Sequence, residues 1–340
     1  MTTLRVAGLG AGYFSRFHYD SWRRMPRARL VGVCDHVPDR AAATGAPAFT
    51  DLALMIEQVR PDLLDLIVPP AAQYDAIAQA LHAGVRTLIC QKPFGLDATQ
   101  ARAITNMIHA HGARLIIHEN VRFQPWYRQL KTVLQSDQLG QVLQATFRLR
   151  PGDGQGPAAY LDRQPAFQTM PRFLVQETAV HWIDTFRYLF GPPHAVYADL
   201  RQINPVLAGE DPGHVLLDHP HGVRAVFDGN RCLDHATDNP RRTMGEMVVE
   251  GTSGTLTLTG DGALWLRAFG DSCATCVRSA DGSGGFGGDC VHALQSHVVS
   301  GLLDGTPIEN LASDYLLVRD IEAAVYRSAA TGQKVVLETD

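Results

Sequence analysis

Lys92 and the trio Glu177, His181 and Asp184 are the residues whose types and spacing could move a proton. Lys92 follows a short apolar run, Val85 to Cys90, and precedes Pro93. At the carboxyl end of a parallel strand a lysine can hold or polarise a substrate oxygen, because open α/β sheets bind ligands there. The alternative is a surface lysine with a solvated head. Glu177, His181 and Asp184 stand at i, i+4 and i+7, positions that share a face on a continuous α-helix. A histidine between two carboxylates has its tautomer and charge set by them. That arrangement suits a general base, since an alcohol does not release its proton unaided at neutral pH. The alternative is an ordinary polar helix face.

The elements that must position these groups begin at the amino end. Leu4 to Leu9 is an apolar run of strand length, broken by Gly10 and Gly12 before an amphipathic segment. In the pattern G-x-G-x-x-G/A the three places are Gly10, Gly12 and Ser15, the last small but neither Gly nor Ala. The first glycine allows the tight turn, and the second lets a pyrophosphate approach the backbone. The third place needs a small residue for helix–strand packing. The following helix would aim its free N–H groups at the phosphates. A second apolar run, Ala28 to Cys34, leads directly to Asp35. An acid roughly twenty residues after the glycines is where a dinucleotide site holds the adenosine ribose; otherwise Asp35 is a cap or loop carboxylate. The expected cofactor contacts here are Gly10, Gly12, Tyr13, Phe14, Ser15 and Asp35. Asp35 favours NAD over NADP, whose extra phosphate would face a second anion. Arg40 argues for NADP but lies five residues further on, where a helix begins.

Beyond Asp35, Val59 to Val68 is a near-continuous apolar run ending at Pro69-Pro70, as suits a parallel strand covered on both faces. A helix is predicted over Asp75 to Ala83, a strand over Val85 to Cys90, a helix capped by Asp97 and ended by Gly112, and a strand over Leu115 to His118. This alternation predicts a doubly wound parallel sheet. The pattern then changes. A helix is predicted over Pro125 to Leu134. Leu143, Ala145, Phe147 and Leu149 follow with a period of two, a strand with one polar face. Similar strands recur from Val196 to Phe269. Helices fall near Thr178 to Leu189, His292 to Leu303 and Ser313 to Ala330. The fold class is thus α/β: a dinucleotide-binding domain over residues 1–122, then an α+β domain with a large, mostly antiparallel sheet over residues 123–340. The Gly/Ser-rich stretch from Arg278 to Asp289 is expected to be a loop.

A chain of 340 residues is long for one core. Its net charge of −5 argues against a nucleic-acid surface. No apolar run approaches a membrane span, and the first residues do not resemble a cleavable leader, so a cytoplasmic location is expected. Cys273, Cys276, Cys290 and His292 lack a second C-x-x-C pair, so no metal site is expected.

These stretches together resemble the Gfo/Idh/MocA oxidoreductase family, which includes glucose–fructose oxidoreductase and inositol dehydrogenases. The carriers are Gly10-Ala11-Gly12 with His18, Asp35, Pro69-Pro70, Gln91-Lys92-Pro93, Glu119-Asn120 with Arg122-Phe123, the Glu177 to Asp184 helix and the ending Ala324 to Ser328. The resemblance implies a Rossmann domain followed by a sheet domain whose open face makes dimers or tetramers. It implies an NAD-dependent dehydrogenase acting on a sugar, inositol or related polyhydroxy compound. Lys92 matches the lysine of the family's E-K-P motif. Glu177 and His181 match the carboxylate and histidine base of its D-x-x-x-H motif, and Asp184 matches a further aspartate. Pro69, Pro70, Gln91, Lys92 and Asn120 join the expected cofactor contacts. Arg122, Trp126, Arg150 and Arg172 join Lys92, His181 and Asp184 as expected substrate contacts. Three departures stand out: Gln91 for the usual Glu, Gln73 where a histidine often stands, and Glu177 for the usual Asp. Two other activities fit the resemblance: an NAD-dependent glycosidase with no net cofactor turnover, and a non-catalytic NAD- and sugar-binding regulator.

Overall fold

Strand and helix alternate through the amino-terminal part of the chain. The structure is a computed structural model and describes residues 3–280 and 286–337. Strands β1 (Leu4–Leu9), β2 (Ala28–Cys34), β3 (Ala48–Phe49), β4 (Leu63–Leu66), β5 (Thr87–Gln91) and β6 (Arg114–His118) form one parallel sheet, in the order β3-β2-β1-β4-β5-β6. Helices α1 (Ser15–Arg24), α2 (Pro38–Ala43), α3 (Leu52–Val59), α4 (Pro70–His82) and α5 (Ala98–Ala110) supply the crossovers. The order reverses between β1 and β4, the place where such sheets bind ligands. Every residue of β4, Leu-Leu-Asp-Leu, is buried, as expected of a strand covered on both faces.

Two boundaries differ from expectation. The strand predicted from Val59 starts at Leu63, because α3 runs through Val59 and Arg60 closes it in the left-handed region at φ 41°. The helix predicted from Asp75 starts at Pro70, a residue whose fixed φ suits a first helical turn. Asp97 caps α5 as predicted, accepting the Gln100 N–H at 2.8 Å.

The second part contains α6 (Pro125–Gln135), β7 (Val142–Leu149), a π-helical turn (Leu174–Ala179) and α7 (Val180–Phe190). Then come β8 (Ala195–Leu200), β9 (Pro212–Asp218), β10 (Arg224–Asn230), β11 (Gly245–Gly251), β12 (Gly254–Leu258), β13 (Leu264–Ala268) and β14 (Thr275–Arg278). The chain ends with α8 (Cys290–Asp304), α9 (Ala312–Thr331) and β15 (Val335–Val336). The nine strands order as β14-β13-β12-β11-β7-β10-β9-β8-β15, antiparallel except where β10 meets β7. Ala145, Phe147, Leu149, Ala225, Phe227, Val215, Leu217, Met247 and Val249 bury one face of this sheet, with Trp182 of α7 stacked on Phe147 at 4.2 Å. On the other face a cross-strand row runs Tyr197, Leu216, Val226, Thr146, Val248, Thr257 and Trp265. Strand β14, which carries Cys276 opposite Trp265, was not expected. Within the stretch expected as a loop, 281–285 lie outside the described residues.

The domain limits need correction. The chain divides into Met1–Asn120 with Val291–Arg319, and Val121–Cys290 with Asp320–Asp340. Most of α8 and the start of α9 therefore belong to the first unit. The reason is an open sheet edge, a row of unpaired backbone groups. Ile117 donates its N–H to the Asn310 carbonyl at 2.8 Å, and Ile116 forms a bridge with Leu311. No helix among the described residues is long and apolar enough to cross a membrane.

Candidate active site

Gly10 follows β1 with φ +97°, and a Cβ there would lie 2.4 Å from the Ile67 carbonyl oxygen, so only glycine fits. Gly12 is exposed, and a Cβ there would meet nothing within 4 Å; the volume a side chain would fill is left open. Ser15 turns inward. Its Oγ donates to the Gly12 carbonyl at 2.7 Å, bracing the turn. The close helix–strand contact lies elsewhere, at Gly8, where a Cβ would fall 2.4 Å from the Tyr19 ring. The Tyr19 hydroxyl donates to the Gly10 carbonyl at 2.6 Å. Burial first, then Asp65 and Asp35, pushes that phenol upward, so it stays a donor. The turn fits a dinucleotide pyrophosphate at the amino end of α1.

Asp35 ends β2 and is buried. One of its oxygens accepts the Ala11 N–H at 2.7 Å and the other accepts the Val37 N–H at 2.9 Å. The carboxylate therefore pins the glycine turn to the end of β2 and still has lone pairs for a ribose hydroxyl. Arg40 lies on α2 with an exposed side chain. Pro69 and Pro70 open α4, Pro69 being its N-cap. Tyr13 and Phe14 lie between Gly12 and α1, with Tyr13 accepting from Arg16 Nη2 at 2.8 Å.

Lys92 stands just past the end of β5, half-buried, and the Lys92–Pro93 peptide is cis. Its backbone N–H donates to Gln91 Oε1 at 2.8 Å. Gln91 also faces His18 Nε2 at 3.0 Å, and His18 Nδ1 faces the fully buried Asp65 at 2.8 Å. Gln73, likewise buried, bonds to both sides of the same turn. Asp65 and the role of Gln73 escaped the sequence reading, although an acid inside an apolar strand run was a usable signal. Asn120 is buried at the end of the first unit, just beyond β6.

In the second unit the shared face expected of Glu177, His181 and Asp184 does not form as a continuous α-helix would make it. Glu177 lies in the π turn, and only His181 and Asp184 lie on α7. The π turn is held at its start. Val175 N–H donates to Glu210 Oε1 at 3.1 Å, Gln176 N–H to the Tyr326 hydroxyl at 3.3 Å, and that hydroxyl to Glu210 at 2.7 Å. Behind it Arg231 bonds to Thr178 and pairs with Asp153 at 2.8 Å. Such turns recur at functional sites. Glu177 and His181 are partly exposed.

Four expected substrate contacts are otherwise engaged. Asp184 is fully buried and accepts from Arg122 Nε at 2.6 Å and from Arg187 Nη2 at 3.0 Å. Burial opposes its charge, but Arg122 and Arg187 together hold the carboxyl below the usual range. Asp184 is thus engaged by two arginines inside the second unit. Trp126 is 1% exposed and packs over Gly262, so it is core rather than a platform for a ring. Arg150 donates to the Leu149 and Asp228 carbonyls and to Asp228 Oδ2, tying β7 to β10. Arg172 remains exposed, its guanidinium 4.4 Å from the Tyr326 ring centroid.

Residues 4–119 match the model of an oxidoreductase family with an NAD-binding Rossmann fold, and residues 127–257 match the GFO/IDH/MocA C-terminal domain. A D-apiose dehydrogenase of Paraburkholderia graminis is 28% identical over 341 residues, covering 97% of this chain and 89% of that protein. An inositol 2-dehydrogenase of Rhizobium meliloti is 25% identical over 245 residues, covering 69% of this chain and 71% of that protein. An oxidoreductase of Agrobacterium radiobacter, solved in complex with NAD+, L-tartaric acid and magnesium, superposes with a TM-score of 0.88 over 98% of each chain at 24% identity. With both its sheets and two successive family models in agreement, the chain belongs to the Gfo/Idh/MocA family of NAD-binding oxidoreductases.

Proposed function

We propose that this chain is an NAD-dependent dehydrogenase of a small aldose, of the size and kind of D-apiose. The observation that carries the reading is Lys92 at the carboxyl end of β5, in the same sheet whose β1 ends in the Gly10–Gly12 turn. The choice of an aldose over an inositol rests on the D-apiose dehydrogenase matching nearly the whole chain, where the inositol 2-dehydrogenase matches about two thirds of it.

The nicotinamide supplies a two-electron hydride acceptor. Lys92 donates a hydrogen bond to the reacting hydroxyl oxygen and steadies its developing negative charge. His181 takes the hydroxyl proton as general base. Glu177 orients the imidazole or binds a neighbouring hydroxyl. Gly10 and Gly12 admit the cofactor's pyrophosphate, and Asp35 accepts from its adenosine ribose.

The reading includes a homo-oligomer, supported by the uncovered row of the large sheet, where Tyr197 is 40% and Trp265 39% exposed. It also includes a cytoplasmic location, the usual home of a chain this size with scattered cysteines. The test is NADH formation with a panel of aldoses, inositols and aldonic acids. Stoichiometric NADH with an aldose supports the proposal. Release of a leaving group without NADH would mark a glycosidase, and neither signal would mark a binding protein. Light scattering checks assembly, and a mass near 37.1 kDa would refute the oligomer.

A further inference from the structure

We propose that Gln73 and Gln91 are the positioning residues of the Lys92 turn, and that their two amides are not interchangeable with carboxylates in the same way. The inference rests on the dehydrogenase reading for its kinetic arm only.

Four main-chain groups of the turn are held by these two side chains. Gln91 Oε1 accepts the Lys92 N–H at 2.8 Å, and Gln73 Oε1 accepts the Gly95 N–H at 2.8 Å. Gln73 Nε2 donates to the Gln91 carbonyl at 2.8 Å and to the Pro93 carbonyl at 3.0 Å. In each amide the backbone N–H fixes which atom is oxygen, because an N–H can only donate. The Gln91 NH2 must then donate to His18 Nε2 at 3.0 Å, which puts the imidazole proton on Nδ1, facing Asp65 at 2.8 Å. Trp22 Nε1 at 2.8 Å and Gln295 Nε2 at 3.3 Å also donate to that Asp65 oxygen, and the His118 ring lies against His18 with centroids 4.0 Å apart and planes tilted by 31°. The result is a one-way chain of donors from Lys92 N–H through Gln91 and His18 to a buried carboxylate. Each link polarises the next.

The two amides face different partners. Gln91 faces an imidazole nitrogen, which can take up a proton. In Gln91→Glu the carboxylate keeps the bond from Lys92 N–H, and one added proton lets His18 Nε2 donate to it, leaving the cluster with the same single negative charge that Asp65 carries in the parent. Gln73 faces two carbonyl oxygens, which cannot become donors. In Gln73→Glu a carboxylate loses both bonds, and its protonated form, with a single O–H, restores one at most, leaving an acceptor unpaired in a buried site. One substitution chemistry therefore has opposite outcomes at two positions that hold the same turn.

The experiment compares Gln91→Leu, Gln91→Glu, Gln73→Glu and Gln73→Met with the parent. It measures kcat and KM, NAD affinity by calorimetry, and deuterium exchange of the 90–96 amides. Gln91→Leu and Gln73→Glu should lower kcat about a hundredfold, the scale of a misplaced catalytic group, with NAD affinity little changed in Gln73→Glu. Exchange at Lys92 in Gln91→Leu and at Gly95 in Gln73→Met should quicken by about tenfold, the loss of one hydrogen bond in each. Gln91→Glu should recover most of what Gln91→Leu loses in both readouts. Gln73→Met keeps the side-chain volume, so it serves if Gln73→Glu does not fold, and it should show the same kinetic loss. Gln91→Glu as impaired as Gln91→Leu, or Gln73→Glu and Gln73→Met matching the parent, would overturn the inference. A parent that turns over no sugar defeats the dehydrogenase reading alone, since the exchange arm still decides the turn.

Discussion

Arg122 grips Asp184 with two guanidinium nitrogens, Nε lying 2.6 Å from Oδ2, and both side chains are buried. The pair joins the turn after Asn120 to α7, one turn of helix beyond His181. Removing Asp184 leaves Arg122 and Arg187 without their carboxylate, whereas removing Arg122 still leaves Asp184 paired with Arg187. Asp184→Leu should therefore cost about 3–5 kcal/mol of stability in urea denaturation. Arg122→Leu should cost less. Asp184→Leu as stable as the parent would show that the pair is not sealed from water.

The same pair changes what Glu177 must do. Asp184 is unavailable to replace it, so Glu177→Gln should not be buffered by its neighbour. Lys92→Ala and His181→Ala should each lower kcat by about a hundredfold or more, the usual scale for a lost acid–base group, while NAD affinity stays close to the parent. Glu177→Gln should lower kcat more than Asp184→Asn does at a temperature where both are folded. Near-normal turnover in Lys92→Ala or His181→Ala would remove that residue from the mechanism.

Asp35 gives a cofactor test with a structural side effect. The parent should prefer NAD over NADP by at least about tenfold in kcat/KM, a difference of only about 1.4 kcal/mol. Asp35→Ser should shrink or reverse the preference. Because the Asp35 oxygens also hold the Ala11 and Val37 N–H groups, the variant should bind both cofactors less tightly and melt at a lower temperature. Equal or better use of NADP by the parent would hand control of the pocket to Arg40.

His219 predicts an acid-sensitive step in stability. Its ring is 1% exposed, its Nδ1 bonds to the Gly191 carbonyl at 2.8 Å, and burial pulls its pKa down from 6.5 to about 4. The folded chain keeps this histidine neutral at pH values where the unfolded chain protonates it. The stabilisation is thus complete above about pH 6.5 and falls away as pH drops toward 4, by up to about 3 kcal/mol. Thermal melts from pH 7 to 4.5 should show a steeper decline in the parent than in His219→Asn. Parallel curves would assign the acid sensitivity to other groups.

The Tyr326 hydroxyl ties α9 to the π turn that carries Glu177. Burial, then Glu210, pushes this phenol upward, so it remains a donor throughout the working range. Tyr326→Phe should lower kcat while leaving NAD binding intact, and Glu210→Gln should do the same. An unchanged kcat in both would show that the turn holds itself.

The first unit was legible in the chain because its signals are local. Apolar runs of strand length, Gly10 at a turn that no other residue fits, Asp97 at a helix start and Asp35 directly after a strand each act within a few residues. Period two in β7 did the same for the large sheet. What the tertiary structure decided was where long-range partners fall. An unfilled edge of β6 drew residues 310 and 311 back to the first unit, which no local pattern announces. The π turn depends on Glu210 and Tyr326, far along the chain, and a 3.6-residue period cannot register an extra residue in one turn. Asp184, Arg122, Arg150 and Trp126 carry side chains suited to a sugar site, yet burial commits them to one another or to the core. Residue type states what a group can do; only its neighbours in space determine whether its charge or ring is already spent.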